Sequence, residues 1–567
     1  MSLPAQGPAG APPERRSRLF FGWLSGYGRS TLPLDLVAGL TAAAVVIPKA
    51  MAYATVAGLP VEVGLTTALV PPIVYAALGR SRVLSVSTTT TIAILSGSVL
   101  EEAVPGASAE KLVAAAATLS VLVGLVLLAA AALRLGFLAT FISEPVLAGF
   151  KAGVGAVIIV DQIPKLIGVH IEKLGFFRDL LSLVRSLPET SVPTLLLGGA
   201  AVAALVLLRR VLPRVPAALV VVCLGIGASA LFGLSALGVK SIGRIPAGLP
   251  PFLVPEFSLF ERLWPGAIAI ALMSFTESIA SARAFAVAGQ ERPLPNVELV
   301  ATGAGNVLGG LWGAMPSGGG ASQTLVTLRA GARTPLASLV VGLSSLATLL
   351  FLAPAVSLLP QAVLAAIVVV YSVELLGLAE FRAILAIRRT EFVWAVVALA
   401  GVLLLGTLRG ILVAVVTSLV ALGYQASRPA VYEVRRKPGT NVFRRRTSEH
   451  PEDEAYPGLL MVRVEGRIFF GNTERIIDLV SSLLKATTPR VLALDCSAIF
   501  DVEYSALRML AHAEERLRAQ GCELWLISLN PVVYGGVARS PLGARLGRPR
   551  MFFDLEHAVE AYRAAPG

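Results

Sequence analysis

Apolar segments follow one another closely over most of the chain, and they limit its fold more than any other feature. Each is long enough for a membrane span of about 20 residues or for a shorter half-helix. In order, the segments are Leu36–Val56, Leu65–Leu78, Ser85–Leu100, Leu112–Leu133, Val146–Val160, Val192–Leu208, Ala217–Leu234, Trp264–Ile279, Val297–Leu311, Ala321–Leu328, Leu336–Leu352, Val363–Leu376, Phe392–Leu408 and Gly410–Gly423. They make about 14 elements, an even number that returns the chain to the side of the membrane where it started. The sequence therefore predicts a multi-pass α-helical membrane protein.

Composition and charge agree with a membrane protein of defined orientation. Hydrophobic residues make up 55% of the 567 positions and charged residues 15%, which excludes an enzyme built only of ordinary soluble domains. The net charge of +12 comes largely from basic loops after the even-numbered segments, on the side of Arg15, Arg16 and Arg18. Because such loops stay cytoplasmic, we predict cytoplasmic termini in a plasma (bacterial inner) membrane and no binding of nucleic acid.

Composition also divides the chain into four regions. Residues 1–33 are rich in Pro, Gly and Arg and are predicted to form a cytoplasmic N-terminal arm. Residues 34–428 are predicted to form the transmembrane domain, and residues 429–455 a linker. Residues 456–567 are more charged and are predicted to form a cytoplasmic domain.

The C-terminal domain alternates strand-like and helix-like patterns, which predicts a small α/β domain. The pattern predicts strands at Leu459–Val464, Arg467–Phe470, Val491–Leu494 and Leu524–Ile527, and helices at Glu474–Leu484, Ser505–Leu517 and Leu555–Tyr562.

Reactive side chains in this domain form no catalytic pattern. Asp495, Asp501 and Glu503 have no His or Cys partner at a spacing that argues for chemistry, and Ser505 is interpreted as a helix N-cap. The three cysteines of the chain show neither disulfide nor zinc spacing. We therefore expect no enzyme activity, no metal and no cofactor.

Two of the shorter membrane segments share an unusual polar beginning. Ser85–Thr91 is rich in hydroxyl groups and Pro316–Thr324 in glycine and serine, and each leads into the third element of a seven-element half. Paired interrupted segments of this kind indicate an inverted repeat with a binding site between half-helix N-termini. The positive ends of two helix dipoles attract an anion there. A flexible glycine-rich loop is the alternative.

One acidic residue lies well inside an apolar segment. Glu277 is flanked by Ser274, Thr276, Ser278 and Ser281, and an intramembrane carboxyl group is a functional candidate by default. Two further acids of apolar segments, Glu144 and Glu374, are compatible with an interfacial position.

Several separated motifs stand at residues 35–60, 71–72, 79–86, 150–168 and 330–334. In this order they resemble the sulfate permease (SulP) family, whose animal members include pendrin and prestin, and the tail is similar to the sulfate-transporter and anti-sigma-factor-antagonist (STAS) domain of that family. The resemblance covers nearly the whole chain. It implies an inverted seven-plus-seven helix fold with core and gate domains, elevator-type alternating access and a homodimer.

The resemblance also implies an anion pocket between the two half-helices, with a coupling site beside it. The implied substrate-binding residues are Lys49, Tyr53, Thr88, Thr89, Thr90, Gly319, Gly320, Ala321, Ser322 and Gln323, and the implied coupling residues are Glu277 and Ser281. Relatives with Glu at this coupling position resemble proton-coupled members, whereas those with Asp and a following Thr are coupled to sodium. Ser505 stands where the resembling anti-sigma antagonists are phosphorylated, which makes it a candidate regulatory site.

The chain departs from the family pattern in two linked places. Lys49 stands where many relatives have Gln, and Gln323 stands where many have Arg; residues 87 and 88 are Ser-Thr rather than the usual Gly-Pro. Because helix dipoles supply only partial charge, we infer that Lys49 takes over the electrostatic role of the missing arginine. The alternative is that Lys49 extends to a membrane interface.

These observations predict a secondary active transporter of small anions of the sulfate, bicarbonate or dicarboxylate class, coupled to protons. The expected partners are the anion, the proton, the bilayer, a second copy of the chain and a cytoplasmic partner of the STAS-like domain. Alternatives are a sodium-coupled anion symporter and a non-transporting sensor that signals through its tail. A nucleobase permease is disfavoured by the tail and by Lys49.

Overall fold

The computed structural model describes residues 20–140, 143–171, 175–213, 215–243, 245–246, 248–286 and 293–564. Most of the predicted N-terminal arm, including Arg15, Arg16 and Arg18, lies outside the described residues. The chain forms two compact units, Met1–Ser418 and Leu419–Gly567.

The first unit is built from α-helices and two very short strands. Its helices are α1 (Leu32–Val56), α2 (Val61–Leu78), α3 (Thr90–Ala103), α4 (Ala109–Ala132), α5 (Glu144–Ile167), α6 (Phe176–Ser186), α7 (Val192–Val211), α8 (Ala217–Phe232), α9 (Phe260–Ala284), α10 (Pro295–Leu311), α11 (Ala321–Arg329), α12 (Leu336–Ala347), α13 (Ala353–Val356), α14 (Gln361–Leu375), α15 (Leu378–Ile387), α16 (Arg389–Leu405) and α17 (Thr407–Ala426). The strands are β1 (Val86–Ser87) and β2 (Gly318–Gly319). Helix α17 crosses the boundary between the two units.

Each predicted membrane segment overlaps one of these helices, namely α1–α5, α7–α12, α14, α16 and α17. Among the described residues, nine helices are long and apolar enough to cross a membrane. Helices α3 and α11 fall short with 14 and 9 residues, because an extended piece of backbone replaces the first part of each element. The predicted fold class is thereby confirmed.

Close packing of the helices depends on small residues at a few contact points. Helix α1 packs against α2 and α12, α4 against α10, and α5 against α14 and α16. At Gly124 on α4, an added Cβ would lie 2.6 Å from the carbonyl oxygen of Gly303 on α10. Only glycine permits two helix backbones to approach this closely.

Asp35 at the start of α1 connects two of the family-like motifs. Its side chain is fully buried, and Oδ1 accepts hydrogen bonds from the backbone N–H groups of Arg333 at 2.6 Å and Thr334 at 3.1 Å. Oδ2 accepts from the hydroxyl group of Thr334 at 2.6 Å. The carboxylate thus holds the turn between α11 and α12 against α1 and compensates its own burial.

The second unit is an α/β domain with one six-stranded sheet. Its strands are β3 (Val431–Arg436), β4 (Phe443–Arg445), β5 (Leu459–Val464), β6 (Val491–Asp495), β7 (Glu523–Ile527) and β8 (Met551–Phe552), in the order β4-β3-β5-β6-β7-β8. Strands β5 to β8 are parallel, whereas β3 pairs antiparallel with β4 and β5. Its helices are α18 (Thr473–Thr487), α19 (Tyr504–Ala519), α20 (Pro531–Ala538), α21 (Pro541–Leu546) and α22 (Leu555–Ala564).

Three predictions for this unit differ from the structure. Residues 467–470 form no strand, because the chain turns at Gly466, with a φ of 107°, and only Ile468 makes a bridge. The expected linker, residues 429–455, contains β3 and β4. Ser505 is not an N-cap: the backbone N–H of Glu503 donates to the carbonyl oxygen of Ile468, so Glu503 is the last extended residue and Ser505 lies exposed in the first turn of α19.

Candidate functional site

The two interrupted elements meet at a short antiparallel ribbon. Strand β1 pairs with β2, with Val86 opposite Gly319 and Ser87 opposite Gly318. Because the strands are antiparallel, α3 and α11 leave the ribbon in opposite directions and begin close together. Gly320, at the N-cap of α11, has no side chain that could cap the helix. The first N–H groups of α11 are therefore available to an anion.

Serine side chains of α9 hold this ribbon in place. Ser278 Oγ accepts a hydrogen bond from the Gly319 backbone N–H at 2.7 Å, and Ser274 Oγ donates to the carbonyl oxygen of Ser317 at 2.7 Å. Ser281 Oγ donates to the carbonyl oxygen of Gly319 at 3.4 Å. A Cβ added at Gly319 would lie 2.9 Å from Ser278 Cα. The ribbon can therefore approach α9 this closely only with a glycine at position 319.

A cavity of about 290 Å³ lies at the start of the two half-helices, close to the lower end of the range for small-molecule sites. Nine of the predicted site residues line it: Tyr53, Thr89, Thr90, Glu277, Ser281, Gly320, Ala321, Ser322 and Gln323. Three do not. Gly319 lies in the ribbon, the Thr88 carbonyl oxygen accepts from Gln323 Nε2 at 3.1 Å, and Lys49 lies behind Ser322.

Thr89 connects the first half-helix to the intramembrane acid. Its hydroxyl group accepts from the Ile92 backbone N–H at 3.3 Å, capping α3, and donates to Glu277 Oε2 at 2.8 Å. Glu277 is 9% exposed. The only hydrogen of the Thr89 hydroxyl group is therefore committed to the carboxylate of Glu277.

Lys49 is buried beside the second half-helix, with 1% of its surface exposed. Its Nζ donates to Ser322 Oγ at 3.1 Å and lies 3.7 Å from the centroid of the Tyr371 ring. This burial contradicts the alternative in which Lys49 extends to a membrane interface.

Sequence reasoning missed four polar residues of the lining, namely Thr91, Lys151, Tyr371 and Glu374. Lys151 is a lone cation in the apolar run of α5, a signal that could have marked it. Glu374, taken as interfacial, lines the cavity and forms an ion pair with Arg209 on α7. It stands three residues after Tyr371 on α14, which places both on one helix face.

The charges around the cavity leave a net positive balance. Arg209 and Glu374 neutralise each other, while Lys49 and Lys151 outnumber Glu277. Among the residues that the structure describes, neither lysine forms an ion pair with an acid. No three His, Cys, Asp or Glu side chains in the same described ranges are grouped so as to hold a metal ion.

Family models match both units of the chain. The model of the sulfate permease family matches residues 32–398, and the STAS domain model matches residues 450–554.

Known proteins resemble the chain over almost its full length. A probable sulfate transporter of Mycobacterium tuberculosis is 33% identical over 552 residues, covering 96% of this chain and 98% of that protein. A chloroplastic sulfate transporter of Arabidopsis thaliana is 28% identical over 563 residues, covering 95% and 82%.

Solved structures share the fold. The murine Solute Carrier 26 family member A9 anion transporter in the inward-facing state is similar with a TM-score of 0.87, at 22% identity, over 96% of this chain and 93% of that one. The transmembrane domain of a cyanobacterium bicarbonate transporter, BicA, has a TM-score of 0.59 at 24% identity, over 69% of this chain and 98% of that one.

Proposed function

The chain belongs to the sulfate permease family of membrane anion transporters, and we propose that it is a proton-coupled secondary active transporter of a small oxyanion. The observation that carries this proposal is one cavity lined by a bare helix N-terminus and a protonatable acid, with a buried lysine directly behind the lining. Sulfate is the first substrate to test, because the mycobacterial and plant relatives are named as sulfate transporters. Bicarbonate and dicarboxylates follow.

The anion binds at the start of α11. Backbone N–H groups and the positive end of the helix dipole face it. Since Lys49 donates to Ser322 Oγ, the hydrogen of the Ser322 hydroxyl group is free to donate to the anion. Lys49 contributes a full positive charge from directly behind Ser322, and Gln323 and Tyr53 complete the lining.

Proton coupling follows from the position of Glu277 in the same lining. As a carboxylate it repels the entering anion and occupies the hydrogen of Thr89. When Glu277 takes up a proton, the repulsion disappears and the Thr89 hydroxyl group becomes free to donate to the anion. Each ligand therefore favours binding of the other, as symport requires. Ser281 supports this site through the ribbon.

Alternating access is proposed to be of the elevator type. The half-helices α3 and α11 and the ribbon are held by α9, whereas Lys151, Tyr371 and Glu374 come from α5 and α14 on the other wall of the cavity. Movement of the first group past the second would carry the anion between the two sides.

Residues 34–428 are proposed to form the transport domain and residues 456–567 a cytoplasmic STAS domain with a regulatory, dimer-supporting role. The proposal places the protein in a bacterial inner membrane, with both termini in the cytoplasm. Ser505 is exposed in the first turn of α19, where a phosphate group is electrostatically favoured.

Uptake of radiolabelled sulfate into proteoliposomes tests the function. We expect an inward proton gradient to drive accumulation and Glu277→Gln to abolish the acceleration by external acid. Undiminished acid-driven accumulation in the Glu277→Gln protein would refute the coupling role, and dependence on sodium would assign a sodium site. Binding of sulfate without transport of sulfate, bicarbonate or a dicarboxylate would favour the alternative of a non-transporting sensor.

A further inference from the structure

We propose that Tyr371 is a positioning residue for Lys49: its aromatic ring holds the buried ammonium group against Ser322, so that the charge acts at the start of α11. This inference rests on the function proposed above, because it names the residue that keeps the counter-charge of that site in place.

The surroundings of Lys49 leave its charge with few partners. The side chain is 1% exposed, and the one hydrogen bond that Nζ makes within the described part of the chain, at 3.1 Å, goes to Ser322 Oγ. Among the described residues, no acid lies within ion-pair distance of Nζ; the charge of Glu374, which pairs with Arg209, acts on Lys49 only from further away, and the charge of Arg209 opposes it. Burial of a cation without a carboxylate partner is costly. The negative face of the Tyr371 ring, with its centroid 3.7 Å from Nζ, compensates part of that cost.

The same contacts set the direction in which the charge acts. Ser322 and Tyr371 line the cavity, while Lys49 lies behind them. The positive charge of Lys49 therefore acts on the anion by way of the Ser322 hydroxyl group and by direct electrostatic attraction. A lysine side chain has a flexible stem of four methylene groups, so without the ring the ammonium group is free to leave Ser322.

A second cation also contacts the ring of Tyr371. The guanidinium carbon of Arg209 lies 4.9 Å from the ring centroid, and Arg209 pairs with Glu374 on the helix of Tyr371. Within the described residues, the Tyr371 hydroxyl group makes no hydrogen bond. The ring face, rather than the hydroxyl group, is the part that acts, which makes Tyr371→Phe the conservative variant and Tyr371→Leu the variant that removes the function.

Sulfate uptake by full-length protein in proteoliposomes tests the proposal. Tyr371→Leu is expected to raise the half-saturation concentration of sulfate by roughly 2- to 30-fold, with a smaller effect on the maximal rate, while Tyr371→Phe stays near the parent. In a Lys49→Met background, Tyr371→Leu is expected to have no further effect on half-saturation. Tyr371→Met replaces the leucine variant if that protein is not monodisperse.

The outcomes separate this inference from the function on which it rests. If Tyr371→Leu raises half-saturation equally with and without Lys49, the ring acts only through packing and the inference is wrong. It is also wrong if Tyr371→Phe is as impaired as Tyr371→Leu, or if Tyr371→Leu changes nothing while Lys49→Met weakens binding. If Lys49→Met itself leaves half-saturation unchanged, the counter-charge role proposed for Lys49 is what fails.

Discussion

Replacement of Lys49 by glutamine is expected to weaken sulfate binding without unfolding the protein. Nζ lies 3.1 Å from Ser322 Oγ, and an anion oxygen bonded to that hydroxyl group would lie roughly 2.7 Å further away. The two charges are then about 5–6 Å apart, which gives about 3 kcal/mol per unit charge at an effective dielectric constant of about 20. Glutamine keeps a donor for Ser322, so we expect a loss of about 1–3 kcal/mol, or roughly 5- to 150-fold in half-saturation.

A compensating change makes this prediction sharper. Gln323 lines the cavity and donates to the Thr88 carbonyl oxygen at 3.1 Å. An arginine at this position can keep that bond and still direct other N–H groups to the anion. Lys49→Gln combined with Gln323→Arg should therefore recover part of the lost affinity.

Uptake of radiolabelled sulfate into proteoliposomes over a range of concentrations measures the effect. Lys111→Gln, which removes an exposed lysine from the first turn of α4, is the matched control and should leave half-saturation unchanged. An unaltered half-saturation concentration for a monodisperse Lys49→Gln protein would refute the reasoning.

Three further predictions concern other parts of the chain. Glu374→Gln removes a negative charge from the lining and should lower the half-saturation concentration of sulfate by about 2- to 5-fold. The effect is small because the ion pair of Glu374 with Arg209 is partly exposed. A raised half-saturation concentration in the uptake assay would contradict this prediction. A protein truncated after Ser427 should still bind sulfate in a radioligand assay, since every residue of the cavity precedes the cut; loss of binding by a monodisperse truncated protein would show that the tail helps to build the site. In the second unit, the hydrogen bond from Arg444 keeps the pKa of Asp453 below its ordinary value, so this carboxylate stabilises the unit above about pH 4 and loses that contribution as the pH falls through its lowered pKa. In the Asp453→Asn protein, the protection of the β6 amides against hydrogen exchange should therefore fall less steeply as the pH is lowered. An unchanged pH profile of that protection would count against the prediction.

The membrane helices and the half-helices could be predicted because their signals are local. The length of each apolar segment determines a span, and a polar or glycine-rich start shortens it, as at Thr90 and Ala321. By contrast, the strands β3 and β4 were expected to be a linker. Their many arginines resemble a basic connector in sequence, although charged residues are also typical of a strand at the edge of a sheet, such as β4.

The wall of the cavity could be predicted only in part, because its contacts join distant parts of the chain. Lys49 and Ser322 are 273 residues apart, and Thr89 and Glu277 are 188 apart. The resemblance to the family identified these four positions, although only Lys49 lies within one of the family-like motifs. Tyr371 and Glu374 stood in an apolar segment without such a motif, and nothing local indicated that α14 turns this face towards the cavity.

The fixed charges around the cavity bear on which anion suits it best. Arg209 and Glu374 cancel, so Lys49, Lys151 and an ionised Glu277 leave a formal balance of one positive charge. A proton on Glu277 raises that balance to two. Because an enclosed, weakly polar site favours electrical neutrality, a dianion such as sulfate matches the protonated site, whereas a monoanion such as bicarbonate matches the ionised site. Under the proposed function, this arrangement favours a dianion that enters together with one proton. The expected dependence of uptake on acid would then reflect the charge of the substrate as well as that of Glu277.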